Sequence, residues 1–215
     1  MSEKRDLFII GASNFGREME SWLQLIPESL RDWKIKGFLH YFEGKSPLDG
    51  YPTNLKIIGD WRDHPLTKND YCIIAVADCT WKERIYNHLK GKTSFLTYIA
   101  PDASVGKFNI IGEGTLVCPG SIITTNVTIG NCVTLNIGSQ IGHDCKIGDF
   151  SSIMPSVDLG GNVTVGSKVF IGTNATILPN MTIGSGATVG AGSVVLKKVG
   201  EGTTVFGNPA KEIAV

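Results

Sequence analysis

The sequence predicts two parts: a small parallel α/β domain over residues 1–100, then a parallel β-helix over residues 101–215. Three observations predict it. Residues 101–196 divide without a gap into sixteen hexads, from PDASVG to AGSVVL, and the fifth slot is Ile, Val or Leu every time. A period of six is neither the 3.6 of a helix nor the 2 of an alternating strand, and it fits a chain that turns a corner every six residues and stacks its coils. Ahead of the repeat, short apolar runs alternate with amphipathic ones, the pattern of a parallel sheet with helical crossovers.

In chain order, "DLFIIG" reads as a buried strand and "ASNFGREMESWLQLI" as an amphipathic helix that ends at Pro27. "WKIKGFL" is a second strand and "YCIIAVA" a third. "WKERIYNHL" is a helix, and "SFLTYI" a last strand feeding the repeat, with the boundary near Pro101. Within the repeat, fifth slots from Val105 to Val195 form inward columns of branched aliphatics. Third slots, small or β-branched apart from Asn109 and Met181, fill the space between them. Gly, Asn and Pro serve the corners. Three hexads make one triangular coil, so residues 18 apart stack; the period itself carries no handedness.

The formal net charge is zero, which implies no basic face for nucleic acid or anionic lipid. Five cysteines without a CxxC pair argue against a disulfide framework or zinc ribbon and for a reducing compartment. In the opening "MSEKRDLFIIGAS" the apolar run "LFII" is too short for a signal peptide, and no run approaches 18 apolar residues. The expected location is the cytoplasm, with no membrane span.

"GASNFG", Gly11–Gly16, lies between the first strand and the first helix, where free backbone N–H groups hold phosphate. Ser13 stands where a dinucleotide fingerprint has its second glycine. His40 and Tyr41 stand where strand two would end in an acidic residue, so NAD is not expected. Two readings stand at this point: a mononucleotide or nucleotide-sugar site, and a tight structural turn.

His143 is the only histidine of the repeat, so it cannot build the three-histidine zinc site that such a helix sometimes carries; no metal is expected. It reads as a solvated corner residue or as a general base with Asp144 behind it, since imidazole suits proton transfer near neutral pH. Gly161 lies one coil later, where a backbone N–H open to a ligand would suit an oxyanion. Asn136 takes a slot usually held by Gly and offers an amide in the neighbouring corner.

The hexads resemble the left-handed parallel β-helix of the hexapeptide-repeat acyltransferases, and the closing "VVLKKVGEGTTVFGNPAKEI" is similar to their C-terminal ending. "IIGASNFG", "GHDCKIGDF" and "GTNATILPNMTIGSGATVGAGSVV" resemble a narrower group, the sugar acetyltransferases of the bacillosamine, perosamine and sialic acid type. The resemblance implies a small Rossmann-like domain before the β-helix, acetyl-CoA as donor, a nucleotide-linked 4-amino-4,6-dideoxy sugar as acceptor and a homotrimer. It implies His143 as base with Asp144, Gly161 as the oxyanion donor, and Thr173 and Ala191 as coenzyme A contacts. It implies Ser13, Asn14 and Phe15 as the nucleotide loop, with His40 and Tyr41 where the group often has an acidic pair. O-acetylation of a sugar of the sialic acid type and a non-catalytic trimeric scaffold are the rival readings.

Overall fold

In the computed structural model, which describes residues 4–41 and 43–214, every second slot of the hexads from Phe108 to Gly192 takes a left-handed backbone conformation, with φ between +50° and +69°. Residues 1–3, the beginning of the charged opening stretch, lie outside the described residues. A single left-handed residue in each hexad turns the chain through a corner, and the fourth and fifth slots then run straight as two-residue strands. Strands 18 residues apart pair in parallel: Gln140–Ile141 lies between Ile122–Ile123 and Asp158–Leu159. Three sheets result. One runs from Ser104–Val105 to Val194–Val195, and a second from Ile110–Ile111 to Thr182–Ile183. The third runs from Tyr98–Ile99 to Thr188–Val189, continues in Thr204–Phe206 and closes with the antiparallel Lys211–Ile213.

The fifth-slot side chains from Val117 to Val195 are buried, and Val127, Val133, Val157, Val163 and Val169 from third slots pack among them. Each such side chain contributes about 1.5–3 kcal/mol by leaving water, which makes the column the main stabilising term of the helix. Buried third-slot hydroxyls are satisfied within the stack: Ser151 Oγ donates to the Gly166 carbonyl at 2.9 Å and accepts from the Val169 amide at 3.1 Å. In the first coil Val105 remains 37% exposed, having a strand on one side only.

The preceding unit comprises the chain up to Ala77 with Trp81–Leu96, and the β-helix unit comprises Asp78–Thr80 and the chain from Thr97. The first unit has β1 (Arg5–Ile10), α1 (Asn14–Leu25), β2 (Trp33–Leu39), β3 (Ile57–Gly59), β4 (Tyr71–Ile74), α2 (Cys79–Leu89) from Trp81 onward, and β5 (Ser94–Phe95). Its sheet is parallel throughout, in the order β3-β2-β1-β4-β5. The chain builds outward from β1 to β3 and then crosses over to β4, so the order reverses between β1 and β4. β1 and α1 come close because Gly16 has no side chain: a Cβ there would lie 2.0 Å from the Gly11 carbonyl oxygen.

Two elements differ from the sequence reading. β3 has no counterpart there. The segment "SFLTYI" is divided: Ser94–Phe95 pairs with β4, whereas Tyr98–Ile99 pairs with Leu116–Val117 of the β-helix. The two halves hydrogen-bond to different sheets, Leu96 N–H to the Cys72 carbonyl and Tyr98 N–H to the Thr115 carbonyl, so one continuous strand cannot form.

Candidate active site

The corner between Gln140–Ile141 and Lys146–Ile147 carries His143 in its first slot and Asp144 in its second. Asp144 is one of the left-handed residues, with φ +63°, a conformation that a short polar side chain tolerates. Its Oδ2 accepts from His143 Nδ1 at 2.7 Å. A carboxylate can only accept, so the shared proton sits on Nδ1 and the lone pair of the neutral ring is on Nε2. Both side chains are open to solvent, 64% exposed for His143 and 48% for Asp144. The Asn126 amide, donating to Asp144 Oδ1 at 2.6 Å, and the His143 contact hold the Asp144 carboxyl below the usual carboxylate range.

Gly161 lies one coil on, against the imidazole. A Cβ on Gly161 would stand 2.5 Å from His143 Nε2 and 2.6 Å from Cε1, so only glycine leaves room for the ring in this position. The coil around it is held by the Asn162 amide on the His143 carbonyl at 2.7 Å and the Asn180 amide on the Gly161 carbonyl at 3.0 Å. Side chains cap several first-slot amides, such as Asn131 by Asp149 Oδ1 and Ile137 by Asn136 Oδ1. Those of Gly161, Thr173 and Ala191 donate to no acceptor among the described residues.

The structure therefore brings His143, Asp144 and Gly161 together. Thr173 and Ala191 stack on each other at the corner between Phe170–Ile171 and Thr176–Ile177 and its successor, which joins a different pair of sheets. Asn136 belongs to that second corner too. It is 5% exposed, and its side-chain oxygen accepts the Ile137 amide at 2.7 Å, so it caps its own turn rather than offering that oxygen to the His143 corner.

In the first unit a cavity of about 330 Å³ is lined by Ile10, Gly11, Ser13, His40, Tyr41, Trp61, Arg62, Val76, Trp81 and Ile85. Its floor is the C-terminal ends of β1, β2 and β4, the place where strand order reverses and where parallel sheets of this kind bind ligands. Ser13 is the N-cap of α1 and makes no side-chain capping bond. Tyr41 lies under the Arg62 guanidinium, 4.1 Å from the ring centre, and its hydroxyl donates to Glu43. Arg62 in turn chelates Asp60, with Nε 2.8 Å from Oδ2, and this holds the Asp60 carboxyl low. Burial lowers the His40 pKa, against the opposing charge of Asp60.

Asn14 and Phe15 are not part of this lining. The Asn14 side-chain oxygen accepts from Arg17, and Phe15 packs edge-on against Trp22 with ring centres 6.1 Å apart. Sequence reasoning missed Trp61, Arg62 and Trp81, which come from a loop and a helix without any shared spacing. It also missed Asn126, although its distance of 18 from Asp144 is the period of the coil. No cluster of three or more His, Cys, Asp or Glu suited to a metal occurs among the described residues, and none of their helices is long and apolar enough to cross a membrane.

The family model described as bacterial transferase hexapeptide (six repeats) matches residues 138–173 and 162–197. The GDP-perosamine N-acetyltransferase of Escherichia coli O157:H7 is 36% identical over 156 residues, which cover 71% of this chain and 69% of that protein. The acetyltransferase domain of PglB from Neisseria gonorrhoeae FA1090, solved in complex with acetyl coenzyme A, superposes with a TM-score of 0.83 at 27% identity, over 98% of this chain and 100% of that one. PerB from Caulobacter crescentus, solved in complex with CoA and GDP-perosamine, superposes with a TM-score of 0.80 at 25% identity, over 97% of each chain. With its unbroken hexads, its 36% identity to the Escherichia coli protein and its structural likeness along nearly the whole chain, this protein belongs to the hexapeptide-repeat sugar N-acetyltransferases of the left-handed β-helix type.

Proposed function

We propose that this chain transfers the acetyl group of acetyl-CoA to the amine of a nucleotide-linked 4-amino-4,6-dideoxy sugar. The observation that carries the reading is the His143–Asp144 pair lying against Gly161. Asp144 keeps the proton on Nδ1, so Nε2 of His143 accepts a proton as the sugar amine attacks the thioester carbonyl. The Gly161 N–H, unused by the protein, donates to the oxyanion of the tetrahedral intermediate. The coenzyme A sulfur then leaves with the electron pair of the C–S bond and is neutralised by the proton held on His143. Bound side by side, the two substrates need no acyl-enzyme.

The free amides of Thr173 and Ala191 are the proposed coenzyme A contacts. Their corner and that of His143 are different edges of one β-helix, which favours a homotrimer in which neighbouring copies complete each site. Light scattering at micromolar protein is expected to give the trimer mass, and a monomer would contradict the assembly.

Residues 1–100 are proposed as a Rossmann-like nucleotide-sugar-binding domain and 101–215 as the acetyl-transfer domain. His40, Tyr41, Trp61 and Trp81 offer the nucleobase a partly apolar cleft, and the uncapped α1 N-terminus at Ser13 suits phosphate. The GDP-perosamine named for two relatives is a ligand of this kind. The cytoplasm is the proposed location, in keeping with five free cysteines.

The test is release of coenzyme A thiol with GDP-, UDP- and dTDP-linked amino sugars and their hydroxyl counterparts. Turnover with an amino sugar is expected; turnover with the hydroxyl counterparts alone would make the enzyme an O-acetyltransferase, and release with none would leave a scaffold. Ser13→Glu is expected to raise the acceptor KM by about 10-fold or more through charge repulsion of phosphate, with the acetyl-CoA KM unchanged. Equal change in both would make the turn structural.

A further inference from the structure

We propose that Asn126 is a positioning residue for His143, acting through Asp144 as the third member of an Asn–Asp–His relay. The proposal rests on the reading of His143 as the base.

The corner that carries Asp144 is stacked from second-slot residues 18 apart: Phe108, Asn126, Asp144, Asn162 and Asn180, all left-handed, with φ from +57° to +64°. Stacked asparagines in such a column can pass hydrogen bonds from coil to coil. Asn162 does so, its Nδ2 donating to Asn180 Oδ1 at 2.8 Å. Asn126 does so as well, its Nδ2 donating to Asp144 Oδ1 at 2.6 Å. Position 144 departs from the pattern: the residue is a carboxylate, with no amide of its own to pass upward, and Asn162 has turned to the coil above. The second oxygen, Oδ2, goes sideways to His143 Nδ1 instead. An asparagine ladder is thus interrupted by one aspartate and redirected to the single histidine of the repeat.

The redirection needs its anchor. Two side chains as exposed as these form a weak pair in water, and a carboxylate free to spin does not hold a ring in one place. Asn126 fixes one oxygen from below, on a backbone corner that is itself tied by the Asn126 amide to the Lys107 carbonyl at 3.3 Å and the Asp144 amide to the Thr125 carbonyl at 3.1 Å. The other oxygen then faces Nδ1, which selects the tautomer with Nε2 unprotonated. At metal sites, partners that orient a histidine through its second nitrogen carry about 10–100-fold of affinity or activity; Asp144 is the partner in that position here, and Asn126 holds Asp144 in place. The same Asn126 bond is the leading cause of the lowered Asp144 pKa, in keeping with a carboxylate held in its accepting form.

Tolerance of a left-handed corner is a separate role for Asn126, and the experiment separates it from the relay. Asn126→Gly keeps that backbone freedom and removes the amide; Asn126→Ala keeps a side chain at the corner and removes the donor. Both are expected to melt close to the parent, to lower kcat about 10-fold or more and to leave the acetyl-CoA KM unchanged. In the His143→Ala background neither is expected to lower activity further. Nitrogen-15 NMR of the imidazole is expected to show Nδ1–H in the parent and a tautomer mixture in the variants. The proposal is overturned by a parent imidazole protonated on Nε2, which requires no variant to fold. It is also overturned by variants that keep the parent kcat and tautomer, or by an equal loss with and without His143. Full activity of His143→Ala would sink the base reading by itself, and the tautomer measurement would still judge the relay.

Discussion

His143→Ala is expected to lower turnover by about 10²–10⁴-fold while acetyl-CoA affinity stays near that of the parent, the usual contribution of a positioned general base. The substitution is clean. The ring is 64% exposed, so its removal opens no cavity in the β-helix, and the bond it gives up is the one to Asp144. The corner backbone is held from outside the side chain, by the Asn162 amide on the His143 carbonyl and by the Asp144 amide on the Thr125 carbonyl. The loss should be larger below the pKa of the acceptor amine, where a proton must be removed before or during attack, than well above it. Steady-state rates across that range with a thermal melt as control check this. A folded His143→Ala protein with parent activity would return the residue to a solvated corner.

The second large effect is expected at Gly161, where two contributions can be separated. Gly161→Ala keeps the N–H but sets a Cβ 2.5 Å from His143 Nε2, closer than such atoms approach. The backbone on both sides is tied, with Gly160 donating to Ile177 and Asn180 to Gly161, so the imidazole is the part that moves. A displacement of about 1 Å from a productive geometry can cost about 10²-fold. Because this loss acts through the ring, it should vanish when Gly161→Ala is made in the His143→Ala background. Gly161→Pro removes the N–H and brings the same Cβ, so the two losses are told apart in the His143→Ala background. Proline is compatible with this slot, since Pro179 occupies the same place one coil further on. Its loss, about 10²–10³-fold for one oxyanion donor, should persist without His143. If Gly161→Ala remains harmful without the histidine, the steric account is wrong. If Gly161→Pro is harmless there, the oxyanion assignment is.

The repeat was legible because one physical demand recurs: the fifth slot must fill a dry interior, and only branched aliphatics do that from Val117 onward. The left-handed second slot was not legible, because its occupants share no residue type. Gly114, Asn126, Cys132, Phe150 and Lys168 all adopt it, the conformation being imposed by the stack around them. The same asymmetry holds at the sites. His143, Asp144 and Gly161 could be brought together by adding 18. The split between that corner and Thr173 is the same arithmetic, a spacing of 30 that is no multiple of 18. The cleft of the first unit depends on Trp61 and Trp81, which tertiary folding brings beside Tyr41 and no local period announces. β3, three residues long, is recruited by pairing with β2 and has no pattern of its own.

A stack of identical coils is a one-dimensional lattice, and nothing in the repeat unit sets its length. Each parallel edge is a template for another like it, whether from the same chain or from another. The last strand of the longest sheet, Lys211–Ile213, runs antiparallel to its neighbour, so the edge it leaves does not repeat the register that built the stack. It also brings Lys211 and Glu212, both exposed, to the rim. The two other sheets reach the same last coil, at Thr182–Ile183 and Val194–Val195, and the first of them is capped by a single parallel bridge from Ile183 to Val199. Reversal and charge together set this rim apart from the parallel edges that built the stack and make it a poor template for a further coil.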